Sequence, residues 1–151
     1  MRKILDRLLP LFNIIHICGN GKKDDTINKK GYIQLEYVNE ELPDIMALSD
    51  IVVSRAGSNS INEFLALNKP MLLIPLSAQF SRGDQLVNAD EFEALGYCKK
   101  LLEEDITEDK LINTIKDLYD QRSAYSETMK KSGAHLGRDK VFEVIMNTVK
   151  A

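Results

Sequence analysis

Short apolar runs alternate with helix-period segments along this chain. Residues 2–9 have helical character, and Pro10 stops them. Phe12 to Cys18 is an apolar, β-rich run closing on Gly19-Asn20-Gly21, which predicts a buried strand and a turn. Lys22 to Lys30 is polar and reads as a loop. Tyr32 to Val38 alternates in the manner of a second strand. Asn39 to Ser49 reads as a short helix, with Pro43 in its first turn, where proline is tolerated. Asp50 to Ser54 is a short continuous apolar strand, as in sheets covered on both faces. After Arg55-Ala56-Gly57-Ser58-Asn59-Ser60 a helix is predicted over Ile61–Leu67, ended by Asn68-Lys69-Pro70. Met71 to Ile74 is the next buried strand, closed by Pro75. A polar loop from Leu76 to Gly83 precedes a helix from Asp84 to Leu95, which Gly96 caps. Tyr97 to Leu101 reads as a last short strand, and two helices follow, over 107–131 and 138–149.

Strands alternating with helices of this length imply βαβ units and an α/β fold: a parallel sheet with helices on both faces. In such sheets ligands bind beyond the carboxyl ends of the strands. Two of those ends are polar and carry glycine: Arg55–Glu63 and Ser81–Asn88. Consecutive parallel strands are often neighbours, so these loops are expected to converge on one site.

At 151 residues the chain suits one core, so 1–151 is read as a single domain. A net charge of −3 argues against a nucleic-acid partner. No apolar run approaches the roughly 20 residues that cross a bilayer. The start resembles a signal peptide, but Asp6, Arg7 and Pro10 interrupt its apolar part. Cys18 and Cys98 form neither a disulfide framework nor a metal-ligand spacing, which points to a reducing cytoplasmic compartment. His16 and His135 have no companion residues that suggest a metal, and neither a metal nor a cofactor is expected.

A glycine between strand and helix lets a ligand approach the backbone closely, as Gly57 would. The exposed N–H groups of the following helix start favour an anion such as a diphosphate, and the Ser58 and Ser60 hydroxyls add donors. Glu63, about one turn into the helix, is placed to accept bonds from two adjacent sugar hydroxyls. The plain alternative is a capping box, Ser60-x-x-Glu63. Arg55 either faces the ligand or pairs with a carboxylate. Asp84 and Gln85 either bond hexose hydroxyls or, for Asp84, cap the helix. Asn88 is read as a support for its loop. His16 is functional or a structural strand histidine, and Gly19-Asn20-Gly21 admits a ligand or reverses the chain. Tyr37 and Val38 present backbone groups to a flat base or belong to the core. There is no Gly-x-Ser-x-Gly elbow, Walker loop or Gly-x-Gly-x-x-Gly. The residues by themselves indicate a nucleotide- or phosphate-binding domain and name no reaction.

The stretch DIVVSRAGSNSINEFLALNKPMLLIPLSAQFSRGDQLVNADEFEALGY, from Asp50, resembles the C-terminal domain of the MurG-type glycosyltransferases. These belong to glycosyltransferase family 28, with the GT-B fold of two Rossmann-like domains. The resemblance extends back through IIHICGNG and GYIQLEYV and covers about residues 12–100; the two C-terminal helices match in character only.

It implies that Glu63 holds the ribose hydroxyls, that Ser58, Asn59 and Ser60 receive the diphosphate, and that Asp84 and Gln85 contact the GlcNAc hydroxyls. The first of that pair is often glutamine in the family. Arg55 belongs to the same motif, and the main chain at Val38 is placed to read the uracil edge. The implied donor is UDP-GlcNAc, moved with inversion to the lipid-linked muramoyl-pentapeptide in peptidoglycan synthesis. The implied location is cytoplasmic, peripheral at the inner face of the plasma membrane. The family's first strand and Gly-Gly-Ser loop have no counterpart here, nor has the acceptor domain, so a donor half with an open sheet edge is expected. No catalytic residue is expected within these residues, and the isolated chain is expected to be inactive. The other readings are one subunit of a naturally split UDP-sugar transferase, or a nucleotide- or phosphate-binding module without catalysis.

Overall fold

The computed structural model describes residues 1–77 and 83–133. Ser81, Arg82, His135 and the helix read over 138–149 lie outside the described residues. The chain forms two compact units, one spanning Met1–Ile45 and the other beginning at Met46.

In the first unit a 3-10 turn (Arg2–Ile4) runs into a short helix α1 (Leu5–Leu8). Ile4, Leu5 and Leu8 are buried there, so the predicted N-terminal helix packs as an amphipathic element. Strand β1 (Ile14–Ile17) pairs in parallel with β2 (Tyr32–Leu35), Ile14 opposite Tyr32 and His16 opposite Gln34. The run from Phe12 to Cys18 is expected to be a buried strand, yet Ile17 is exposed, as is Ile33 on the alternating β2. A two-stranded sheet with one short helix against it cannot bury both faces. Helix α2 (Leu42–Leu48) follows.

The second unit holds a parallel sheet in the order β3 (Val52–Ser54), β4 (Met71–Leu73), β5 (Cys98–Lys100). Val52 lies opposite Met71, and Met71 opposite Cys98. Met71, Leu72 and Leu73 are each 0% exposed because β4 has a strand on either side, whereas Val53 on the outer β3 is exposed. Helices α3 (Ser58–Ala66) and α4 (Asp84–Ala94) connect these strands. Ile61, Phe64 and Leu65 of α3, and Ala89 of α4, are buried.

Both helices end in the same way. The Gly96 N–H donates to Glu93 O and the Tyr97 N–H to Phe92 O; after α3, Asn68 bonds Leu65 O and Lys69 bonds Phe64 O. This is the Schellman arrangement, and Gly96 (φ 75°) and Asn68 (φ 50°) supply its left-handed residue. The stops read at Asn68 and Gly96 are therefore the physical ends of these helices.

The single helix expected over 107–131 is two helices, α5 (Glu108–Asp120) and α6 (Arg122–Ser132). Thr107 caps α5, its hydroxyl accepting from the Lys110 N–H at 3.1 Å. The buried stripe Leu111, Ile112, Ile115, Leu118 loses its apolar register at Arg122. Arg122 turns back instead, donating to Tyr119 O at 2.8 Å and lying 4.0 Å over the Tyr119 ring.

Candidate functional site

A polar, glycine-bearing strand end belongs to β3. There the chain passes Arg55 and the fully buried Ala56 into Gly57, which is extended (φ −71°, ψ 135°) and is the N-cap of α3. The first intrahelical bond runs from the Ile61 N–H to Gly57 O at 3.0 Å. The N–H groups of Ser58, Asn59 and Ser60 precede it and have no acceptor within the helix. They form a concentrated set of donors at the positive end of the helix dipole.

Two capping readings are corrected by this geometry. Ser60 is the third residue of α3 and not its N-cap, so the capping box with Glu63 does not form. Asp84 is likewise the first residue of α4; the N-cap is Gly83, at φ 86°, and no side chain caps that helix. In both places a glycine occupies the cap, three residues before Ser60 and one before Asp84. The Glu63 side chain is exposed and makes no hydrogen bond or ion pair among the described residues, and the same holds for the Asp84 side chain.

Gly57 is not required by the protein's own packing. A Cβ built there meets no atom within 4 Å, and its φ suits any residue. At Gly83 the positive φ itself favours glycine.

The second loop is tied to the first from α4. The Asn88 amide donates to Ala56 O at 3.0 Å, so it holds the loop after β3, whereas its own loop, after β4, is the one it is expected to support. Gln85 Oε1 accepts the Leu76 N–H at 3.1 Å, so part of Gln85 is spent on the chain leaving β4. The expected convergence of the β3 and β4 loops thus has specific bonds behind it.

Arg55 pairs with a carboxylate. Its Nη2 lies 2.7 Å from Glu103 Oε1, and its Nη1 donates to Ile74 O at 3.3 Å. The guanidinium holds the Glu103 carboxyl below the usual carboxylate range. Sequence reasoning missed Glu103. Its one visible signal was the acidic run Glu103-Glu104-Asp105 after the last strand.

In the first unit, His16 Nδ1 is 2.8 Å from the Tyr32 hydroxyl, and burial pushes the imidazole below its ordinary range. Gly19 and Gly21 both have positive φ, and the Lys22 N–H closes a turn onto Gly19 O at 3.1 Å. β2 ends at Leu35, so Tyr37 and Val38 lie beyond it; Tyr37 is 71% exposed and is not a core residue. Val38 is half-buried. Among the described residues no three His, Cys, Asp or Glu side chains group as metal ligands, and no helix is long and apolar enough to cross a membrane.

Residues 4–145 match the glycosyltransferase family 28 C-terminal domain. A UDP-N-acetylglucosamine–N-acetylmuramyl-(pentapeptide) pyrophosphoryl-undecaprenol N-acetylglucosamine transferase of Geobacillus thermodenitrificans (strain NG80-2) is 52% identical over 151 residues, covering 99% of this chain. One of the same name from Clostridium botulinum (strain Loch Maree / Type A3) is 50% identical over the same length. The chain spans 42% and 43% of the length of these curated relatives. Among solved structures, the glycotransferase of kitacinnamycin superposes with a TM-score of 0.74 at 18% identity, over 97% of this chain and 39% of that one. The calicheamicin glycosyltransferase CalG4 gives 0.61 at 10% identity, over 92% and 37%. These two likenesses concern the fold, a Rossmann-like half of a GT-B glycosyltransferase.

Proposed function

The chain belongs to the glycosyltransferase family 28 C-terminal domains, and from that premise we propose that it is the donor-binding part of an inverting N-acetylglucosaminyltransferase that uses UDP-GlcNAc. The observation that carries this reading is the start of α3. Three N–H groups without a partner among the described residues follow a glycine that packing does not demand, and a carboxylate equally unpaired among them, Glu63, stands one turn further on. That arrangement suits a diphosphate with a ribose beside it. Ser58, Asn59 and Ser60 receive the diphosphate, and Glu63 accepts from the ribose hydroxyls. Asp84 and the remaining amide of Gln85 meet the hexose. By resemblance to the family, the Val38 main chain meets the uracil, and Arg55 belongs to the same motif.

In the reaction, the 4-hydroxyl of the lipid-linked muramoyl sugar attacks the anomeric carbon of GlcNAc, and the bond to UDP breaks with inversion. Negative charge grows on the departing diphosphate. Fixed N–H dipoles aimed at it stabilise that charge more than they stabilise the bound donor, which is what lowers a barrier. The relatives are more than twice as long as this chain, and by resemblance to the family acceptor binding falls to a part outside the match. The same resemblance places the whole enzyme at the cytoplasmic face of the plasma membrane, beside its lipid-linked acceptor. In this reading the chain supplies donor binding and does not turn over unaided.

Calorimetric titration of the 151-residue chain with UDP, UDP-GlcNAc and UDP-glucose tests this. Tightest binding of UDP-GlcNAc is expected. Glu63→Ala should weaken it by about tenfold or more, the scale of a lost hydrogen bond to a charged group, with the melting temperature unchanged. Unaltered binding with a lower melting temperature would assign Glu63 to the fold alone. Transfer of GlcNAc to lipid acceptor by this chain unaided would overturn the division of labour.

A further inference from the structure

We propose that Glu103 is a positioning residue of the donor site, acting through Arg55; the inference rests on the donor-binding reading. Arg55 is the residue immediately after β3. Its guanidinium reaches Ile74 O, one residue past β4, and Glu103 Oε1, in the 3-10 turn (Glu103–Asp105) after β5. One side chain therefore ties together the carboxyl ends of three successive strands, at the edge where the candidate loops emerge. The next residue, Ala56, is fully buried, and its carbonyl is held by Asn88. The segment entering α3 is thus fixed on both sides, and the direction of the Ser58–Ser60 N–H groups depends on that entry.

Stability does not account for the pair. Its side chains are 45% and 41% exposed, and ion pairs this open contribute little to folding. The geometry is better explained by orientation. A planar guanidinium with its two Nη atoms engaged has one allowed plane, whereas an unpaired arginine samples many rotamers. Both Nη atoms are already engaged by protein acceptors, which makes Arg55 a strut in the loop and not the principal diphosphate ligand.

The test measures UDP affinity by calorimetry and thermal unfolding of the full chain for Glu103→Ala, Glu103→Gln, Arg55→Ala and the double variant Glu103→Ala/Arg55→Ala, with Glu63→Ala as the control. Glu103→Ala should weaken UDP about 3- to 30-fold, the usual range for residues that act at one remove, with an unchanged melting temperature. Glu103→Gln, which keeps an acceptor for Nη2, should recover most of that loss. The double variant should bind no more weakly than Arg55→Ala alone, because one interaction is removed by either change. Unchanged or tighter UDP binding by Glu103→Ala would overturn the proposal, tighter binding meaning that Glu103 competes with the diphosphate for Arg55. So would additive losses in the double variant. If the unaltered chain binds no UDP, or if Glu63→Ala binds it as the unaltered chain does, the donor-binding reading itself fails and this proposal falls with it. If Glu63→Ala loses affinity and Glu103→Ala does not, only the positioning role fails.

Discussion

The side-chain amide of Asn88, on α4, donates a 3.0 Å hydrogen bond to the carbonyl of Ala56, immediately before the N-cap of α3. This bond joins the helix that begins with Asp84 and Gln85 to the loop that holds Gly57. It also satisfies a carbonyl of a fully buried residue.

Loss of that donor has a definite expected cost. Asn88→Ala should lower stability by about 1 kcal/mol, the net worth of a typical intramolecular hydrogen bond. Asn88→Asp should cost more at neutral pH, since it sets a carboxylate against the carbonyl oxygen. Urea unfolding of the two variants checks the order; equal stability of all three proteins would mean that the bond does not form in solution.

Gly57→Ala separates fold from function. The backbone there is already compatible with alanine, and the added methyl group meets no protein atom within 4 Å. Stability should stay the same or rise by about 0.4–1 kcal/mol through a less flexible unfolded chain. Affinity for UDP should fall, because the methyl group occupies the approach to the N–H groups of Ser58–Ser60. Undiminished UDP binding would show that no ligand comes close to this residue.

His16 sets a pH dependence in the acid direction. Burial and the positive charge of Arg2 depress its folded-state value, so below the ordinary imidazole range the unfolded chain binds more protons than the folded one. Stability therefore rises with pH through that window. It is fully present above the unfolded value and declines as pH falls toward the depressed one. Urea unfolding between about pH 5 and 8 should show this slope, and His16→Gln should flatten it. An identical slope in the variant would assign the effect to other groups.

The two thiols should differ sharply in reactivity. Cys98 is 2% exposed, and its thiol is pushed up to about 12, first by burial and then by the nearby Glu93. The thiolate is the reactive form, so Cys98 should resist a maleimide until the protein unfolds. Cys18, half-buried beyond β1, should be modified first in the native protein. Mass spectrometry of partly labelled protein reads this directly, and equal labelling of both sites without denaturant contradicts it.

Much of this protein was legible in its sequence because the signals are local. A left-handed residue closes a helix within five residues of its acceptors, so Asn68 and Gly96 marked the ends of α3 and α4. The alternation of strands and helices implied a parallel sheet, and the glycine between β3 and α3 marked the turn rich in free N–H donors. The resemblance to the family came from the same stretch. What depended on the partner of each element was not legible. Ser60 and Asp84 carry the residue types of helix caps, yet the turns place Gly57 and Gly83 there instead. The helix read over 107–131 divides at Gln121, where no proline or glycine announces it. Which strand would be wholly buried followed from β4 lying between β3 and β5, an order that period-two patterning does not encode. The Arg55–Glu103 pair spans 48 residues, and only the sheet, by aligning the carboxyl ends of β3, β4 and β5, brings its two halves within a hydrogen bond of each other. Sequence alone determined the elements and the donor-rich turn, since backbone preference acts over a few residues. Tertiary structure decided which side chains that turn leaves unpaired and which it ties down, since those partners meet only through space.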